Sequence, residues 1–129
     1  MDPSGKNGGE EKLSQSASQA NAFYREVNIT NEVWTLKDLN GFPAPLNSEG
    51  KRVMPFWSSE KRVLKIIKTV VAYKEFSPVK IPLDIFFQKW LVGLKKDNFL
   101  AGVNWTGNRA IGYDIDPEAL KANIEANNK

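Results

Sequence analysis

The sequence predicts an α+β fold: a small, mostly antiparallel sheet of about four strands packed against three to four helices in a single domain. Three observations predict it. Apolar residues recur at helical spacing in some stretches and alternate in others, in the order helix, two strands, two helices, two strands, helix. Glycine and proline gather between those stretches, where they punctuate. A chain of 129 residues buries roughly two thirds of its unfolded surface, so one core suffices without disulfides or metals.

Taken in order, residues 1–12 are rich in Gly, Ser and charge, repay little of their ordering entropy and are expected to be disordered; the folded domain is expected over 13–127. The run 16–19, serine to glutamine, reads as a capping box for a first helix with Ala20, Phe23, Tyr24 and Val27 on its apolar face and an end near Asn28. Residues 32–36 are β-rich and read as a strand. Gly41, Pro43 and Pro45 forbid a helix after it, and a turn at 48–50 leads into a second strand over 52–57. Pro55 cannot donate a ladder hydrogen bond, which places it at that strand's end or on an edge. Ser58 or Ser59 caps the next helix, whose stripe is Val63, Ile66, Ile67 and Val70.

After a break at Ser77-Pro78, Pro82 suits the first position of a third helix and Asp84 complements its dipole. Leu83, Phe86, Phe87, Trp90, Leu91 and Leu94 form its apolar stripe, with Trp90 expected in the core. The segments 99–105 and 110–115 read as a hairpin. Alternation places Ala101, Val103 and Trp105 on one face and Gly102, Asn104, Ala110 and Gly112 on the other, where small side chains would let a backbone or ligand approach. Asp116-Pro117-Glu118 supplies the cap, first-position proline and acidic first turn of a last helix carried by Leu120 and Ile124.

The chain contains no histidine and no cysteine. The side chain that titrates near neutrality and the strongest neutral-pH nucleophile are therefore missing, together with the usual ligands for zinc, haem and iron–sulfur centres. No catalytic residue, metal site or cofactor is expected on that basis. No basic-then-apolar leader opens the chain and no apolar run is long enough to span a bilayer, so a cytoplasmic protein without membrane contact is expected. The net charge of +3 hides a split: residues 51–96 carry eleven Lys/Arg against three acidic residues, a local +8, and the remainder carries −5. Such segregation bears on partner choice rather than on fold.

Four constellations invite a chemical reading. Ser58-Ser59-Glu60-Lys61 contains Ser-x-x-Lys, a serine-and-lysine-base spacing, though its usual companion motifs are missing and a helix cap explains the serine. Asp114 and Asp116 lie two apart, as a hard cation or acid–base pair would require, although Asp116 as a helix cap is the plainer reading. Trp57, Ser58 and Ser59 end one strand while Asn104 and Trp105 end another; if those ends adjoin, they form an aromatic and polar pocket mouth for a ligand or partner. Lys61, Arg62, Lys65 and Lys68 form a candidate anion-binding face, although a solvated helix side is the plainer reading. On the third helix, Ile85 and Val92 lie off the main stripe beside Lys89 and suit either a second core layer or a contact with another subunit, which would make a homodimer.

The residues 32–36, 53–59, Ile81-Pro82-Leu83 with Phe87, Trp90, Leu91 and Leu94, Gly102-Val103-Asn104-Trp105 and Gly112-Tyr113-Asp114 with Pro117 together resemble the bacterial domain of unknown function 2750 family, from Phe23 to Ile124. The resemblance implies a compact bacterial α+β protein with no assigned activity. The order of elements, with 56–59, Val103-Asn104 and 117–120 as markers, is also similar to the enhanced-serine-sensitivity (SseB) proteins, with Trp57 where that pattern has threonine. Small bacterial domains of this kind serve as interaction or immunity modules, which is analogy of architecture alone. The expected function is a non-enzymatic protein-interaction module of immunity or adaptor type whose partner is another protein. A small-ligand or nucleotide-binding protein using the Trp/Ser/Asn pocket is the alternative. Nucleic-acid binding through the basic segment 51–96 comes third, since no recognised nucleic-acid motif accompanies it.

Overall fold

The computed structural model describes residues 4–107 and 110–128, and the side chains of residues 4–14 and 111 lie outside the described set. Of the segment 1–12, expected to be disordered, residues 1–3 and the side chains of 4–12 lie outside the described set. Helix α1 is Ser4–Thr30 and passes through the cap expected at Ser16; Gln19 turns instead to Arg62, its Oε1 accepting from Nη1 at 3.0 Å. The helix ends where Asn31 adopts φ 59° and its N–H bonds to the Val27 carbonyl at 2.8 Å, a left-handed cap that asparagine tolerates well.

Five strands follow among the described residues, one more than expected. β1 (Glu32–Lys37) pairs antiparallel with β3 (Ser77–Pro82), Glu32 facing Pro82 and Lys37 facing Ser77. β2 (Val53–Phe56) runs parallel to β4 (Leu100–Thr106), which pairs antiparallel with β5 (Ile111–Ile115). The two sheets meet at one bridge, where the Trp34 and Trp57 backbones exchange two hydrogen bonds of 2.7 Å. Beside it the Thr35 hydroxyl donates to the Pro55 carbonyl at 2.8 Å, a side chain closing the gap next to a residue that has no N–H to offer. β3 is the strand the sequence reading took for a break. Pro78 and Pro82 punctuate it, yet β1 is its one ladder partner among the described residues, and edge strands tolerate proline because the lost donor faces outward.

Apolar side chains alternate across the strands into two clusters. On one face α1, the helix at 83–96 and α5 (Pro117–Ala126) bury Phe23, Val27, Phe56, Phe86, Leu94 and Leu120. On the other, α2 (Glu60–Thr69) buries Val63 and Ile66 against Leu36, Val53 and Trp57. Each large side chain so placed contributes about 1.5–3 kcal/mol of transfer free energy. The helix over 83–96 is α3 (Leu83–Ile85), a π turn (Phe86–Trp90) and α4 (Leu91–Lys96) in succession. Pro82 stands just before it as the last residue of β3 rather than inside its first turn. Trp90, expected in the core, is half-buried at its margin and meets Phe42 edge-on at 4.9 Å and Phe56 at 6.0 Å. Ile85 packs against the first cluster, whereas Val92 is exposed.

Candidate functional site

The ends of β2 and β4 adjoin because the two strands are parallel neighbours, with Phe56 opposite Val103. Four of the five residues proposed from sequence, Trp57, Ser58, Asn104 and Trp105, therefore do come together, whereas Ser59 serves as the cap of α2. Their setting is set by a bulge. Tyr113 faces Val103 and Ile111 faces Thr106, so Asn104 and Trp105 stand against the single residue Gly112. Asn104 takes φ 50°, a left-handed conformation. The extra residue reverses the alternation: Ala101 and Val103 belong to the first cluster, whereas Trp105 crosses to the second. Trp105 was expected on the face of Val103; instead its indole lies over Gly102. A methyl group on Gly102 would fall 2.3 Å from the Trp105 Nε1. The small residues thus make room for this chain's own tryptophan.

Each polar group in the cluster has an internal partner. The Trp57 Nε1 donates to the Trp105 carbonyl at 2.9 Å. The Ser58 N–H donates to the Asn104 Oδ1 at 2.9 Å, and the Asn104 Nδ2 donates to the Ser58 Oγ at 3.0 Å and to the Gln19 carbonyl at 3.2 Å. The Ser58 hydroxyl donates to the Glu26 Oε1 at 2.6 Å. Ser59 caps α2, accepting from the Arg62 N–H at 3.2 Å, which settles which of the two serines does so. Ser58 and Asn104 are each 1% exposed and Trp57 is wholly buried. With its Oγ turned to a carboxylate and closed to solvent, Ser58 has no geometry for Ser-x-x-Lys chemistry with Lys61.

Glu26 and Gln19 are the members that the sequence did not reveal. They stand seven residues apart on one side of α1, a spacing that aligns them but does not name their partner. That partner is Arg62, whose Nε and Nη2 grip the Glu26 carboxylate at 3.0 and 2.9 Å. The Arg62 hydrogen bonds hold the Glu26 carboxyl below the ordinary glutamate range, with help from Ser58 and against the effect of partial burial. A depressed carboxyl stabilises the fold above its unfolded value of about 4.3, and that contribution disappears as pH falls through the lower folded value. Glu26→Gln is expected to cost about 1 kcal/mol near neutrality and to flatten the stability loss below about pH 4. Denaturation curves across pH check this; an unchanged acid limb removes Glu26 from the account.

Of the anion-binding face, Arg62 is drawn inward while Lys61, Lys65 and Lys68 are exposed. Among the described residues these three lysines form no ion pair, and a shallow hollow of about 380 Å³ lies beside Lys61, Arg62 and Lys65. The two aspartates separate. The Asp116 Oδ2 caps α5, accepting from the Glu118 and Ala119 N–H groups at 3.0 and 3.3 Å. The Asp114 Oδ1 accepts from the Trp105 Nε1 at 3.0 Å. Burial pushes the Asp114 carboxyl above the ordinary aspartate range, against the hydrogen bonds from Trp105 and Asn47. Among the described residues no three carboxylates gather as a metal would need, and no helix is long and apolar enough to cross a membrane.

Over residues 20–124 the chain matches the family model described as a protein of unknown function, DUF2750. No curated protein matches it. Among solved structures the chain is similar to Anabaena Tic22 (protein transport), at 15% identity and a TM-score of 0.39 over 64% of this chain. The matched part spans 45% of that chain, a likeness too remote to carry an argument.

Proposed function

This chain belongs to the DUF2750 family, a family of unknown function, and from that premise we infer that it is a non-enzymatic protein-interaction module that takes an acidic segment of another protein on helix α2. The observation that carries this reading is the division of labour among the α2 cations. Arg62 is committed to Glu26, whereas Lys61, Lys65 and Lys68, spaced i, i+4 and i+7, point one row of charge outward and form no ion pair among the described residues. A positive row fixed on a packed helix steers an acidic partner and sets its register. The polar groups that suggested chemistry support the same reading, because Ser58 and Asn104 are spent on holding α1, β2 and β4 together. An adaptor or immunity-type role is the use such a face would have.

The test titrates a fluorescent oligoglutamate peptide and, separately, a DNA duplex. We expect the peptide to bind at low salt and the triple variant Lys61→Glu, Lys65→Glu, Lys68→Glu to weaken it about tenfold, since exposed charge pairs contribute about 0.2–1 kcal/mol each. Equal binding by the variant would end this reading. Tighter retention of DNA with a steep salt slope would replace it by nucleic-acid binding.

A further inference from the structure

On the second face of the sheet a cavity of about 330 Å³ opens beside Trp105, at the small end of the range for ligand sites. Leu46, Val53, Val70 and Tyr73 are among its walls, and they are apolar or aromatic. Asp114 is the one charged group among the described residues that line it. Its Oδ1 is pinned by the Trp105 indole at 3.0 Å, so the carboxylate is held in place at the cavity wall by a residue that is itself 5% exposed. A carboxylate accepts about four hydrogen bonds, and the Trp105 indole and Asn47 use two. We propose that this cavity binds a small apolar amine, whose ammonium group pairs with Asp114 while its hydrocarbon body lies among Leu46, Val53, Val70 and Tyr73. This goes beyond the lysine face, uses none of its residues and would stand without it.

The chemistry selects among ligand classes. An anion meets Asp114 with Glu49 nearby and is repelled. A hard divalent cation wants six or more oxygens and finds one carboxylate in apolar surroundings. An ammonium suits the site because burial disfavours the unpaired Asp114 charge, and an opposite charge within hydrogen-bond reach relieves that penalty. Two aromatic side chains, Tyr73 and Trp105, line the cavity, and a cation is attracted to the face of such a ring.

Phenethylamine is the probe, compared with phenethyl alcohol and hydrocinnamate, which keep the body and change the head group. Binding is read by calorimetry and by the shift of the Trp105 indole N–H resonance. The expected result is an amine dissociation constant on the order of 1 mM or tighter, with the alcohol weaker by about tenfold and the acid unbound. Asp114→Asn keeps an oxygen for the Trp105 indole, so the fold survives, and it is expected to weaken the amine about tenfold. Equal binding of amine and alcohol to the unaltered protein would overturn the proposal without recourse to a variant. So would an amine affinity unchanged in Asp114→Asn, or the absence of any amine binding. Loss of oligoglutamate binding in the α2 lysine variant leaves this outcome unaffected, so the two readings fail separately.

Discussion

Asn104→Ala is expected to lower the stability of this protein by about 3 kcal/mol, through two separable causes. The first is backbone. Asn104 sits at φ 50° in the bulge of β4, where asparagine is tolerated and alanine is strained by about 1 kcal/mol. The second is the hydrogen-bond cluster. Removing the amide takes the acceptor from the Ser58 N–H and the donor from the Gln19 carbonyl, and the Ser58 N–H is left in a site closed to water. A buried donor without a partner costs about 1–3 kcal/mol. Asn104→Gly separates the terms, because glycine accepts the left-handed conformation but restores no hydrogen bond. It is expected to cost about 2 kcal/mol, less than alanine. Denaturant titrations of the three proteins give both terms as differences in midpoint at constant slope. If alanine and glycine are equally costly, the bulge stores no strain; if both are near zero, the cluster does not hold α1, β2 and β4 together.

The same residues show what the sequence carried and what it did not. The helix at 83–96 was legible from its apolar stripe, and α5 from its cap, proline and acidic turn, because those signals are local. The meeting of Trp57 and Ser58 with Asn104 and Trp105 was legible as a conditional: it required two strand ends to adjoin, and the parallel pairing of β2 with β4 makes them do so. The face of Trp105 was not legible. Strict alternation over 99–105 puts it beside Val103, and one extra residue opposite Gly112 reverses that, with no residue in the run that demands a bulge. β3 was missed for a related reason. Proline reads as a break unless the strand is known to lie on an edge, which is a fact of topology. The Glu26 and Arg62 pair joins residues thirty-six apart, and no periodicity within either helix points from one to the other.

Gly102→Ala puts that reversed face to its sharpest test, with an expected loss of about 3 kcal/mol. On an alternating strand the position would tolerate alanine, because Gly102 and Trp105 would point to opposite sides. In the bulged strand a methyl group at 102 would lie 2.3 Å from the Trp105 Nε1 and Cε2 and 2.5 Å from Cζ2, far inside van der Waals contact with the ring. The backbone has little room to yield, since β4 is paired on both edges, with β2 and with β5. The indole must therefore swing away, losing its hydrogen bond to Asp114 and its packing in the second cluster. Overpacking of this sort costs about 1–3 kcal/mol, and the lost hydrogen bond to a charged group adds to it. Gly112→Ala is the graded control: its nearest contacts would be the Trp105 Cδ1 at 3.0 Å and Cα at 3.3 Å, a tighter fit without interpenetration, expected to cost about 1 kcal/mol. Near-ultraviolet circular dichroism and the Trp105 indole resonance report the displaced ring directly. A stable Gly102→Ala protein with both signals unchanged would return Trp105 to the face of Val103, and the amine cavity that the indole helps to line would lose its wall.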